Sequence, residues 1–200
     1  MSPRVYKSDK RQAAAEDTRL RILAAARSLL AAPKPTQISV DAIAKAADVS
    51  RQTIYNAFGS KSGLLEALFD ALAGHAGLDL PQAFAADDAD TALRRFTESF
   101  CRFWANDPVA IRRLRGMAVL DADLDRLLRE RDDMRRAALT ELLRRQARET
   151  PADTIDIIWQ LTGFETYDGL ARGEPTRDAA ALTGLITTAV AAVHGATTDG

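Results

Sequence analysis

Apolar positions recur every three or four residues along nearly the whole 200-residue chain, and no alternating stretch of useful length interrupts them. That period predicts an all-α protein. Ile22, Leu23, Ala26, Leu29 and Leu30 mark a helix from about residue 17 to residue 32, stopped by Pro33 and Pro35. Val40, Ile43, Ala44 and Ala47 form the stripe of a short helix that Ser39 caps. Ser50 caps a second short helix, with Val49 and Ile54 at hydrophobic-staple spacing and Ile54 and Phe58 turned inward. Leu64, Leu68 and Leu72, flanked by Leu65 and Phe69, predict a longer helix from Ser60 to about Gly74. Residues 74–90 carry Gly74, Gly77, Pro81 and several aspartates and read as a loop, the natural boundary between two domains. Beyond it the pattern predicts five more helices, over about 88–106, 108–119, 121–149, 151–172 and 175–194. In the third of these, Leu124, Leu127, Leu128, Met134, Leu139, Leu142 and Leu143 face inward.

The polar positions between these stripes carry the chemistry. Residues 38–61 hold two short helices joined by a tight turn at Asp48, a residue that tolerates the left-handed conformation better than most. This is a helix-turn-helix, whose second helix enters the DNA major groove. Arg51, Gln52, Thr53, Tyr55 and Asn56 remain on its open side, and such side chains suit base edges and phosphates. Lys61 occupies the first turn of the next helix, where a cation opposes the helix dipole unless an anion such as a phosphate completes the site. Ser39 and Ser50, at the two helix starts, complete the candidate DNA-contact set.

The run Ile43-Ala44-x-x-Ala47-x-Val49-Ser50-x-x-Thr53-x-Tyr55-x-x-Phe58-x-Ser60-Lys61-x-x-Leu64-Leu65 resembles the DNA-binding domain of the TetR family of bacterial transcription regulators. The resemblance covers roughly residues 15–75. It implies an N-terminal three-helix helix-turn-helix domain and a C-terminal helical ligand-binding and dimerisation domain. It also implies a homodimer, binding to a palindromic double-stranded DNA operator, and release by a small-molecule effector, most commonly as a repressor. Two departures from the family pattern stand out. Asp48 takes the place of the usual turn glycine, and Ser62-Gly63 replaces the usual continuation, so that Gly63 is expected to loosen the helix start by roughly 1 kcal/mol.

Charge sharpens this division. The formal net charge is only −1, but residues 1–62 hold 11 basic and 5 acidic side chains, a net +6, against 16 and 23 in the rest, a net −7. A basic end on an acidic body fits a protein that touches nucleic acid with one part only. The expected organisation is a basic arm over 1–16, the DNA-binding domain with its linking helix over 17–74, and the effector and dimerisation domain over 75–200.

In that last region Phe96, Phe100, Phe103, Trp104, Met117, Trp159, Phe164 and Tyr167 lie at helical spacings that suit either core packing or an effector pocket. Glu165 and Asp168 sit among them and need partners if buried. Leu182, Leu185, Ile186, Ala189, Val190 and Val193 share one face of the last helix, whose other face is small and uncharged. A helix apolar all round is covered on more than one side, and a second subunit is the expected cover. The residue set offers no metal or cofactor site and no catalytic constellation: one cysteine, Cys101, two distant histidines and no glycine-rich phosphate loop. Cys101 is expected to be a core residue. No N-terminal segment has the make-up of a secretion signal, and residues 179–198 are too diluted by Thr, Gly and Ala to drive membrane insertion. The expected compartment is the cytoplasm. The alternatives are an architectural DNA-binding protein without effector and an α-helical enzyme.

Overall fold

The computed structural model describes residues 3–32, 38–146, 150–173 and 175–196. Eleven helices and no strand occur among them: α1 (Pro3–Ala31), α2 (Val40–Ala46), α3 (Arg51–Phe58), α4 (Lys61–Ala76), α5 (Leu80–Phe84), α6 (Ala89–Asn106), α7 (Pro108–Ala118), α8 (Ala122–Arg145), α9 (Ala152–Leu161), α10 (Phe164–Ala171) and α11 (Ala179–Ala196). The chain divides into two compact units, residues 1–71 and 72–200. The proline stop at 33–35 and the expected helix end at residue 149 lie outside the described residues.

In the first unit α1, α2 and α3 pack on one another. Ile22, Leu30 and Ile54 are fully buried, joined by Leu23, Ala26, Val40, Ile43, Ala44, Leu64 and Leu68. At about 25 cal/mol per Å² of apolar surface, each large aliphatic side chain buried this way contributes roughly 1.5–3 kcal/mol. Helix α1 begins at Pro3, well before the expected residue 17. Proline suits a first helical turn, and the Lys, Arg, Gln and Ala that follow are helix formers with no breaker among them. The basic segment is therefore helical.

The second unit differs from expectation at three boundaries. A five-residue helix, α5, interrupts the loop, with Asp79 accepting from the Gln82 amide and Pro81 in its first turn. The last helix starts at Ala179, not Pro175, because Asp178 caps it: its carboxylate accepts from the Ala181 amide at 2.8 Å. The expected helix over 151–172 is two helices, α9 and α10, broken at Thr162-Gly163, where Gly163 is extended (φ −79°, ψ 162°). The carbonyls released by the break find donors from other helices. Trp104 Nε1 on α6 donates to the Thr162 carbonyl at 3.0 Å, and Arg135 on α8 donates to the Trp159 carbonyl and to Thr162 Oγ1. Arg135 is thus only 5% exposed, while its neighbour Met134, expected inside, is 52% exposed. The buried row of α8 runs through Leu124, Leu128, Arg135, Leu139 and Leu142, one position away from Met134.

Candidate nucleic-acid interface

Local capping sets the geometry of the helix-turn-helix. Ser39 Oγ accepts from the Ala42 amide at 3.1 Å and opens α2; Ser50 Oγ accepts from the Thr53 amide at 3.0 Å and opens α3. Between them Asp48 is the only non-glycine among the described residues with positive φ (53°), which turns the chain so that α3 leaves α2 abruptly. Ile54 pins α3 to the core, fully buried. Arg51, Gln52 and Asn56 are exposed, and Thr53 and Tyr55 are half-buried. Gln52 donates to the Asn56 side chain at 2.9 Å, and the Ser50 and Thr53 hydroxyls pair at 2.9 Å. The hydroxyls of Ser39 and Ser50 are thus committed first to helix capping.

After α3, Gly59 (φ 75°) and Ser60 reverse the chain, and Ser60 Oγ accepts from the Gly63 amide at 3.0 Å to start α4 at the exposed Lys61. A Cβ on Gly63 would lie 2.2 Å from the Phe58 carbonyl oxygen. Gly63 is therefore required by the close approach of α3 and α4. The expectation that it merely loosens the helix omits this.

Two contributors were not visible in the sequence pattern. Arg19 on α1 donates to the Ala57 carbonyl at 3.1 Å and lies 4.4 Å from the centre of the Phe58 ring, which is half-buried beneath it. A cation at the C-terminal end of α3 satisfies a free carbonyl and favours the helix dipole. Asp41, in the first turn of α2, forms an ion pair with Arg51 at 3.1 Å. Both partners lie tens of residues or a turn away in sequence from the groups they hold.

In the second unit five of the candidate effector residues, Phe96, Phe100, Phe103, Trp104 and Phe164, form one aromatic cluster. Phe96, Phe100, Phe103, Trp104, Phe164 and Tyr167 are buried; Met117 and Trp159 are half-buried. Ring centres lie 4.8 Å apart for Phe96–Phe100, 4.5 Å for Phe103–Trp104 and 5.6 Å for Trp104–Phe164. Arginines are interleaved: Arg115 lies 5.7 Å from the Phe164 ring centre, and Arg135 lies 5.1 Å from that of Trp159. Burial pulls the Arg135 guanidinium down to about 10, against the opposing pull of Asp132. Arg115 bridges Asp132 (3.0 Å) and Glu165 (2.7 Å), and the buried Asp168 pairs with both Arg112 and Arg172. A groove of about 700 Å³ lies elsewhere, between α6 and α11, lined by Glu98, Cys101, Arg102, Thr183 and Thr187 among others. Burial pushes the Cys101 thiol up to about 11, so it is a core thiol with little nucleophilic character.

Of the six residues expected at a subunit interface, Leu182, Ile186 and Val190 are buried within their own chain, where α11 packs on α6, α9 and α10. Ala189 and Val193 are half-buried, and only Leu185 is exposed, at 42%. The inward row has a full partner already, so the open face of α11 is Ala181, Gly184, Leu185, Thr188 and Ala192.

Residues 22–68 match the profile of bacterial regulatory proteins of the tetR family. The HTH-type transcriptional regulator EthR of Mycolicibacterium smegmatis is 37% identical over 99 residues, 48% of this chain and 46% of that protein. The matched region spans about half the length of such curated relatives. A TetR-family regulator from Rhodococcus sp. has the same fold, with TM-score 0.69 and 20% identity over 89% of this chain and 98% of that one. LfrR from Mycobacterium smegmatis, solved in complex with proflavine, is 27% identical with TM-score 0.55, over 90% and 97% of the two chains. The helix-turn-helix unit thus carries the profile of the tetR family of bacterial regulatory proteins, and the chain as a whole shares the fold of TetR-family regulators.

Proposed function

We propose that this chain is a cytoplasmic, homodimeric transcription regulator, a repressor that a small, largely apolar effector releases from a palindromic operator. The observation that carries the reading is the surface of α3. Its one buried residue, Ile54, fixes the helix, while Arg51, Gln52, Thr53, Tyr55 and Asn56 stay at or near the surface, where base edges and phosphates are within their chemistry. Lys61 at the start of α4 is the phosphate contact, joined by the Ser39 and Ser50 helix starts. Two such helices about a two-fold axis meet major grooves about 34–36 Å apart, or a multiple of that.

The open face of α11 around Leu185, with Ile157 of α9 (49% exposed), is the surface for the second subunit. The aromatic cluster of α6 and α10, with Trp159 of α9, is the effector site, a reading supported by the flat aromatic compound named with LfrR. An effector acts only through different affinities for DNA-competent and DNA-incompetent states. Helix α4 carries the chain from one unit into the next, and a shift of it changes the spacing of the two heads.

Random-sequence selection on the full chain tests the first part; a symmetric motif is expected, and its absence overturns the reading. A screen of aromatic metabolites and dyes, proflavine included, read by Tm and operator release, tests the second. Expected release is 5–150-fold at a coupling of about 1–3 kcal/mol. Leu185→Glu is expected to give monomers by light scattering, and a stable dimer from it moves the interface elsewhere.

A further inference from the structure

We propose that Asp41 is a specificity-determining residue: it holds the guanidinium of Arg51 so that one edge is committed and the other is aimed at a guanine. The inference rests on the DNA-binding reading above and adds to it a residue from outside the recognition helix. Arg51 is the first residue of α3, and its Nε lies 3.1 Å from Asp41 Oδ1 in the first turn of α2. Tyr55, one turn further along α3, is the other group that acts on the Arg51 guanidinium. A guanidinium carries five N–H donors in a rigid plane. A carboxylate beside Nε biases the orientation of that plane and leaves the Nη end, the fork that matches guanine O6 and N7, turned away from it.

Stability does not explain the pair. Its side chains are 58% and 65% exposed, and an ion pair that open contributes little to folding. An acid at the edge of a recognition helix also repels phosphates, in a unit that otherwise accumulates positive charge. Asp41 therefore costs non-specific affinity and returns orientation. A carboxylate beside Arg51 also penalises every register in which Arg51 would have to leave it for a phosphate, which is discrimination by repulsion. The alternative role is stabilisation of α2, whose positive end Asp41 occupies. The two roles predict different measurements.

The experiment is parallel random-sequence selection on the full-length wild type, Asp41→Asn, Arg51→Ala and the double variant. It is paired with titrations of the selected operator and of an unrelated duplex at several salt concentrations. Wild type is expected to select guanine at one position in each half-site. Asp41→Asn is expected to lower that single preference about five-fold or more, while binding to the unrelated duplex tightens. In the Arg51→Ala background the same change is expected to leave base preference where Arg51→Ala put it. Asp41→Glu keeps the charge that α2 needs but moves the carboxylate by one methylene, and is expected to keep the wild-type Tm while losing part of the preference. An Asp41→Asn motif identical to wild type overturns the proposal. So does an equal loss of affinity for all sequences, which marks a purely structural role. A wild type that selects no motif at all sinks the DNA-binding reading itself, a separate result.

Discussion

The two units of this chain use polar side chains in opposite ways. Among the described residues every buried polar or charged side chain belongs to the second unit: Thr97, Ser99, Arg135, Thr154, Thr162, Asp168 and His194. In the first unit the core is aliphatic and alanine-rich, and most described polar groups remain exposed or half-buried. Its side-chain hydrogen bonds mostly close over three or four residues, as at Ser39, Ser50 and Gln52. In the second unit many others join residues far apart, 58 positions for Trp104 to Thr162 and 56 for Arg112 to Asp168. The head spends its polar chemistry on an outside partner; the body spends it on tying its own helices together.

Substitutions that exchange the two behaviours test this contrast. The largest effect is expected in the body. Arg135→Met removes the guanidinium that donates to the Trp159 carbonyl and the Thr162 hydroxyl oxygen, and is expected to cost about 3 kcal/mol of stability. A thermal melt should drop by roughly 6–12 °C, and a change below a degree or two would show that the α9–α10 break holds itself. Arg51→Ala is the mirror case. It is expected to lose about 1–3 kcal/mol of discrimination at one operator position, with unfolding free energy within about 0.5 kcal/mol of wild type by denaturant titration. Lys61→Ala is smaller and of another kind: binding weakens about equally for all sequences, and the salt slope falls by about 0.9. The smallest effect belongs to Asp48→Gly. Glycine adopts φ 53° without the Cβ penalty but loses more entropy on folding. The net expectation is a gain of about 0.5 kcal/mol in chemical denaturation, and a loss would mean that the Asp48 side chain itself holds the turn.

The same contrast explains what could be read from the sequence. Helices α2 and α3, their serine caps and the turn at Asp48 are local objects, each defined within four or five residues, and their spacing carried them. The helical character of the body was equally plain from its stripes. What periodicity cannot carry is a partner many positions away. The Thr162-Gly163 break is stable because Trp104 and Arg135 reach it, so the pattern over 151–172 reads as one helix. For the same reason periodicity points Met134 inward where the structure buries Arg135, leaves Leu182, Ile186 and Val190 to a partner where α6 covers them, and gives no sign of the pairing of Arg19 with Ala57 or of Asp41 with Arg51. The break itself had a local cue in its glycine. A charged segment without apolar anchors reads as an arm, yet no glycine or further proline interrupts it after Pro3, and α1 starts there.

Gly63 has a consequence beyond its own fit. With the Phe58 carbonyl oxygen 2.2 Å from where a Cβ would stand, the end of α3 and the first turn of α4 are packed backbone to backbone. Close-packed backbone transmits displacement and does not absorb it. A rotation at the head of α4 would therefore press directly on the end of the recognition helix. Even the smallest added side chain at position 63 would pry the joint open, resetting the angle at which α3 is offered to its groove before any signal arrives.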